Sequence, residues 1–151
     1  LQMFALIISI IAIALVVALA GATLYYGGDA FTQGSARSTA AALVNQGQQI
    51  SGAWTLYKAN NGGAIPAGDS PAQLTALVSG QFLSAVPTSP VGGTWTVAST
   101  TDTGRTVSTL SLTAPASLTA ETCTAVSALP GSGGVFKCAT DAGKQTFSYA
   151  L

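Results

Sequence analysis

Residues 1–60 read LQMFALIISIIAIALVVALAGATLYYGGDAFTQGSARSTAAALVNQGQQISGAWTLYKAN, and this stretch decides the fold of the 151-residue chain. It contains no charged side chain before Asp29. A helix that crosses a membrane needs about 20 apolar residues, and the beginning of the stretch meets that length. Tyr25 and Tyr26 follow where an aromatic belt at the membrane surface is expected. We therefore predict that residues 1–28 form an apolar transmembrane helix.

Two other structures are compatible with an apolar N-terminal stretch. A secretory signal peptide begins with a positively charged region and has a shorter apolar core of about 7–15 residues, whereas this sequence starts at Leu1 without Met, Lys or Arg. We expect Leu1 to be the N-terminus left after a leader that carried the orienting basic residues was removed. A buried helix of a soluble protein is the other alternative.

The composition argues against several classes of function. Charged residues make up 7% of the chain and its formal net charge is zero, whereas ordinary soluble domains carry about 25% charged residues. The five basic side chains are scattered, so we expect no direct nucleic-acid site, which would need clustered Lys and Arg. The chain has no His, which removes the commonest general base and metal ligand. We expect a protein that is not an enzyme and holds neither a cofactor nor a metal.

The apolar pattern becomes amphipathic in residues 29–60. Apolar or small residues recur there at alternating steps of four and three, which places them on one face of a helix. These residues are Ala36, Ala40, Leu43, Gly47, Ile50, Trp54 and Tyr57. The Asn-Asn-Gly-Gly sequence at residues 60–63 predicts the end of this helix. We predict that the face packs on the chain's own C-terminal domain, and a coiled-coil partner is the alternative. The residues of this face that we expect to contact the domain are Leu43, Ile50, Trp54 and Tyr57.

Residues 61–151 predict a globular α+β domain. We expect a helix with Ser70 as its N-cap and Pro71 at its first position, and a second short helix that opens at residues 115–117. Alternating β-branched and aromatic residues predict strands, which cover residues 94–97, 106–113, 135–138 and 147–151. A turn is expected over residues 100–104. Because these strands follow one another closely, a mostly antiparallel sheet is favoured, with its apolar face over the amphipathic helix.

The two cysteines, Cys123 and Cys138, fall on the predicted short helix and at the end of a predicted strand. Two cysteines in an outward-facing, membrane-anchored domain favour a disulfide. Closing a loop of about 15 residues adds about 3 kcal/mol of stability in the chain-entropy model. Free thiols are the alternative.

Four features in this order resemble the type IV pilins, and the type IVb branch in particular. They are the apolar segment that begins at Leu1, the long helix that continues into an amphipathic half, the small α+β head, and the region bounded by Cys123 and Cys138. The resemblance implies a long N-terminal helix packed on an antiparallel-sheet head. It also implies a structural subunit that polymerises into an extracellular filament for adhesion, aggregation, motility or DNA transfer. The alternative is a minor pilin or pseudopilin, an anchored assembly or binding module at a filament tip or in a secretion system.

The resemblance further implies how such a subunit is processed and assembled. A prepilin peptidase cuts the precursor before Leu1, whose amine is then usually methylated. The subunit waits in the inner membrane with its head in the periplasm, until an assembly ATPase and a platform protein add it to a helical homopolymer on the bacterial surface. The filament core would contain the apolar side chains of the first helix, namely Phe4, Ala5, Leu6, Ile7, Ile10, Ile11, Ile13, Leu15, Val16 and Leu19.

The sequence departs from the family at Ala5. The family usually has Glu at this position, where the carboxylate is thought to pair with the N-terminal amine of a neighbouring subunit. With Ala5, the apolar segment has no carboxylate that can neutralise the Leu1 amine. A buried unpaired charge is costly, and the alternatives are that the amine loses its proton, is hydrated, or is bound by the side-chain carbonyl oxygen of Gln2.

Overall fold

The structure is a computed structural model that describes residues 1–113, 115, 117–141 and 143–151, without the side chains of Asp102 and Asp141. Its elements in chain order are α1 (Gln2–Asn60), α2 (Ser70–Ser79), β1 (Thr94–Asp102), β2 (Arg105–Thr113), α3 (Ala120–Ser127), β3 (Phe136–Asp141) and β4 (Lys144–Ala150). The predicted fold class is confirmed, because a long N-terminal helix is followed by an α+β domain with an antiparallel sheet. The chain divides into an N-terminal unit, Leu1–Ser35, and a compact unit, Ala36–Leu151.

The N-terminal unit is helical from Gln2 onwards, and all its residues are exposed. In the described part of the chain, α1 is the one helix that is long and apolar enough to cross a membrane by length and composition. Nothing within this unit covers its apolar side chains, so they must meet lipid or another molecule if they are to leave water.

The sheet of the compact unit has the strand order β1-β2-β4-β3, and each neighbouring pair is antiparallel. Its register places Trp95 opposite Leu112 and Phe136 opposite Tyr149. Side chains alternate along each strand, as they do when a sheet covers a core with one face only. The buried members on the inner face are Trp95, Val97, Leu110, Leu112, Phe136, Phe147 and Tyr149.

The core lies between this inner face and the part of α1 that belongs to the compact unit. Leu43, Ile50 and Trp54 have no exposed surface and join the buried strand residues in one apolar cluster. Tyr57 is half-buried and packs edge-to-face on Phe82, with ring centroids 5.4 Å apart. The amphipathic face of α1 therefore packs on the chain's own head, as the spacing predicts.

Helix α2 begins one residue earlier than predicted. Its N-cap is Asp69, and Ser70 is already helical, so Pro71 occupies the second helical position. The Ser70 hydroxyl does not cap α2. It accepts a hydrogen bond of 2.7 Å from the backbone N–H of Val97 in β1. An N-cap hydroxyl would accept a hydrogen bond from a backbone N–H in the first turn of its own helix. The Ser70 hydroxyl accepts instead from an N–H of a distant strand.

The β1–β2 hairpin is longer than predicted. β1 continues to Asp102, and the turn is reduced to Thr103 and Gly104, both with positive φ (46° and 82°). Such a two-residue turn matches the twist of the strands that it joins. Hydroxyl pairs across the hairpin, including Ser99–Ser108 at 2.9 Å, support the extension.

The short helix α3 begins later than predicted. Thr119 is its N-cap and accepts a hydrogen bond of 3.2 Å from the N–H of Thr122. The predicted start at residues 115–117 includes position 116, which lies outside the described residues. Ser117 is not helical, and its N–H donates to the Val91 carbonyl at 3.0 Å. The last two strands also shift slightly, since β3 begins at Phe136 and Leu151 lies beyond β4.

Candidate assembly surface

The candidate functional surface is the apolar helix surface of the N-terminal unit. The large side chains predicted for a filament core have more than half of their surface exposed in the isolated chain. They are Phe4, Leu6, Ile7, Ile10, Ile11, Ile13, Leu15, Val16 and Leu19. Ala5 is exposed between them. Because burial of apolar surface contributes about 25 cal/mol per Å², this surface has a strong tendency to associate.

Two hydroxyl side chains within this surface are hydrogen-bonded to the helix itself. The Ser9 hydroxyl donates to the Leu6 carbonyl, and the Thr23 hydroxyl donates to the Ala20 carbonyl, each at 2.9 Å. In a membrane or an apolar bundle, every polar group has to be paired internally because water is absent. These two bonds let both hydroxyls enter such a medium without an unpaired donor.

The charges of the N-terminal unit lie far apart along the helix. Asp29 is its only acidic side chain. At 1.5 Å per residue, the 28-residue separation of Asp29 from Leu1 corresponds to about 42 Å. The Leu1 amine and the Asp29 carboxylate of one chain therefore cannot neutralise each other, and the absence of a carboxylate at Ala5 is not compensated by another acidic residue nearby in the segment.

The packing of α1 on the sheet includes residues that the sequence pattern did not single out. Val44 and Ala53 are buried beside the predicted face. Gln46 donates from Nε2 to the Thr88 carbonyl at 2.8 Å, which holds the loop before β1 against the helix. Val44 and Ala53 each adjoin a predicted contact, so a wider apolar stripe would have included them. The Gln46 bond has no signal in the sequence.

A disulfide ties the short helix to the sheet. Cys123 of α3 is bonded to Cys138 of β3, and their Cα atoms are 5.3 Å apart. Both cysteines of the chain are used in this bond. The bond closes a sequence separation of 15 residues, for which the chain-entropy model gives about 3 kcal/mol.

The head also has open clefts on its surface. One cleft, of about 600 Å³, is bordered by Thr113, Leu118 and Lys144 among others. Another, of about 390 Å³, has mainly apolar walls that include Leu74, Val86 and Trp95. Within the residues that the structure describes, no three His, Cys, Asp or Glu side chains are grouped so that they could hold a metal ion.

No protein-family model, curated protein or solved structure matches this chain. The architecture fits a pilin-like fold. A long N-terminal apolar helix, a small antiparallel sheet and a disulfide occur together in one chain. Since a shared fold does not establish a shared function, the function has to be argued from the exposed helix.

Proposed function

We propose that this chain is a structural subunit of a type IV pilus-like filament, most similar to a type IVb major pilin. The observation that supports the proposal best is the contrast between the two halves of α1. Its first half is exposed throughout Leu1–Ser35 and carries no charged side chain before Asp29, whereas its second half is buried along one face in a disulfide-bonded head. The first half suits association with many neighbours, and the second half contributes to the core of the head.

Before assembly, the apolar half would reside in the inner membrane with the head in the periplasm. Transfer from lipid to a bundle of identical helices costs little, because lipid tails are as apolar as leucine side chains. Association within the bundle then depends on close packing. Small residues such as Ala12, Ala14, Ala18 and Gly21 allow neighbouring backbones to approach closely.

A simple membrane anchor would not need the second half of α1. About 20 apolar residues suffice to hold a domain at a membrane, yet the helix continues to Asn60. Within the compact unit, Leu43, Ile50 and Trp54 fix it to the sheet. Head-to-tail contacts between subunits generate open helical polymers when the rotation between neighbours does not close a ring.

The proposal includes the maturation expected of the family. A prepilin peptidase would expose Leu1, and an assembly ATPase with a platform protein would move the subunit into the filament. Ala5 leaves the Leu1 amine without the carboxylate partner that is usual in the family, so the filament would have to accommodate this amine in another way. Methylation of the amine, usual in the family, would be read directly from the mass of the N-terminal peptide.

Shearing of surface filaments from cells tests the proposal. We expect electron microscopy to show thin filaments, and mass spectrometry to identify this chain as their main component, with Leu1 at its N-terminus. A chain present only in traces would instead favour the minor pilin or pseudopilin function. A chain absent from sheared material and from the tips of filaments would contradict both.

A further inference from the structure

The turn that follows α1 contains the dipeptide Asn61-Gly62. Asn61 lies immediately beyond the last residue of the helix, and its side chain is exposed. Gly62 has a φ of 63°, and a Cβ atom at this position would meet no atom within 4 Å. An exposed asparagine residue therefore precedes a glycine that has open space around its Cα atom.

We propose that Asn61 is a site of spontaneous deamidation, independently of the function proposed above. The backbone nitrogen of Gly62 forms a bond with Cγ of Asn61, and the Cγ–Nδ2 bond breaks. Ammonia leaves with the hydrogen from the Gly62 nitrogen, and a cyclic imide remains. Water then opens the imide at either carbonyl, which yields aspartate or isoaspartate. Glycine favours the first step because it has no side chain to obstruct the ring closure.

The chain provides two internal comparisons, since its other asparagines are Asn45 and Asn60. Both lie within α1, where the helical backbone keeps the amide carbon away from the next nitrogen. The nitrogen that would attack Asn60 belongs to Asn61 and already donates to the Tyr57 carbonyl at 3.0 Å. In the described part of the chain, the Gly62 N–H makes no such backbone hydrogen bond.

The modification would alter the end of α1. In the unmodified chain, Asn61 Nδ2 donates to the Tyr57 carbonyl at 2.9 Å. A carboxylate cannot donate a hydrogen bond, and it would face both that carbonyl oxygen and the negative end of the helix dipole. Deamidation therefore replaces a helix-ending interaction with repulsion. It also adds one negative charge to a chain whose formal net charge is zero.

Incubation of the purified full chain in detergent micelles tests the proposal. Mildly alkaline buffer promotes ring closure, and mildly acidic buffer is the reference. We expect a time-dependent mass gain equal to replacement of NH2 by OH in the alkaline sample, mapped by peptide sequencing to Asn61. An isoaspartate-specific methyltransferase should label the same peptide. Asn61→Gln should abolish the gain, and the matched control Asn60→Gln should retain it.

Two results would overturn the proposal. One is a mass gain that persists in Asn61→Gln or maps to Asn45 or Asn60. The other is a difference between the folded and the denatured chain. If alkaline buffer modifies Asn61 in denaturant but leaves it unmodified in the folded chain, the folded turn protects Asn61. A separate comparison of Asn61→Asp with Asn60→Asp measures the consequence. Both substitutions place a carboxylate at the C-terminal end of α1, but only Asn61→Asp also loses the hydrogen bond to the Tyr57 carbonyl. We therefore expect the larger decrease of the thermal midpoint for Asn61→Asp.

Discussion

The Tyr149 ring of β4 packs directly on the backbone of α1 at Gly47. A Cβ atom at position 47 would lie 2.5 Å from Cδ2 of Tyr149 and 3.0 Å from Cγ. Real Cβ atoms essentially never lie within 3.0 Å of another heavy atom. The contact between helix and sheet is therefore possible because residue 47 is glycine and has no Cβ atom. Tyr149 is itself buried and stacks on Phe136, which limits how far its ring can move.

Gly47→Ala is expected to destabilise the compact unit. Alanine favours a helix over glycine by about 1 kcal/mol, but overpacking of a close-packed contact costs about 1–3 kcal/mol. The net expectation is a loss of about 1 kcal/mol in the free energy of unfolding, measured by denaturant titration. Gly52 is the matched control, because it lies in the same helix and a Cβ atom there would meet no atom within 4 Å. Gly52→Ala should stabilise the protein, and equal effects at both positions would contradict the packing argument.

Gln81→Gly is expected to stabilise the end of α2. Gln81 has a φ of 61°, and the N–H of Phe82 donates to the Leu77 carbonyl at 3.0 Å, which completes a helix-ending motif that normally has glycine at this position. A left-handed conformation costs a residue with a side chain about 1 kcal/mol. We expect a higher thermal midpoint for Gln81→Gly. The exposed helical residue Gln48 is the control, and Gln48→Gly should lower the midpoint; a decrease in both variants would refute the assignment.

Local periodicity predicted much of the fold because a helix face and a strand face each repeat along the chain. The face of α1 that includes Leu43 and Ile50 was found in this way. Contacts between distant segments were not predictable from such a pattern. Ser70 has the sequence of an N-cap but binds Val97, and nothing near Gly47 in the sequence indicates Tyr149.

The candidate assembly surface was predictable for a different reason. The absence of charge before Asp29 is a property of composition, and it does not depend on which segments meet. The exposure of that surface required the structure, since a buried core helix can have the same composition.

Loss of the disulfide is expected to destabilise the head by about 3 kcal/mol. Replacement of both Cys123 and Cys138 by Ser removes the link between α3 and β3 without leaving a free thiol. Denaturant titration of the oxidised chain, the reduced chain and this double variant measures the effect. The reduced chain and the double variant should unfold at similar concentrations, and reductant should not shift the variant. If the head is marginal without the bond, filaments should also fail to accumulate; unchanged stability on reduction would show that the bond contributes little.

A charge within the apolar surface is expected to abolish filament formation. Leu15→Arg places a cation near the middle of the segment, where a charged residue costs about 3 kcal/mol in a membrane and more where it remains unpaired in an apolar bundle. Leu15 is 59% exposed within the isolated chain, so the substitution leaves the core of the head untouched. The control Thr100→Arg adds the same charge on an exposed strand of the head. Immunoblots of sheared and membrane fractions, with circular dichroism of both purified variants, should show a folded head in each and filaments for Thr100→Arg alone. Normal filaments from Leu15→Arg would rule out a tightly packed apolar core around this residue.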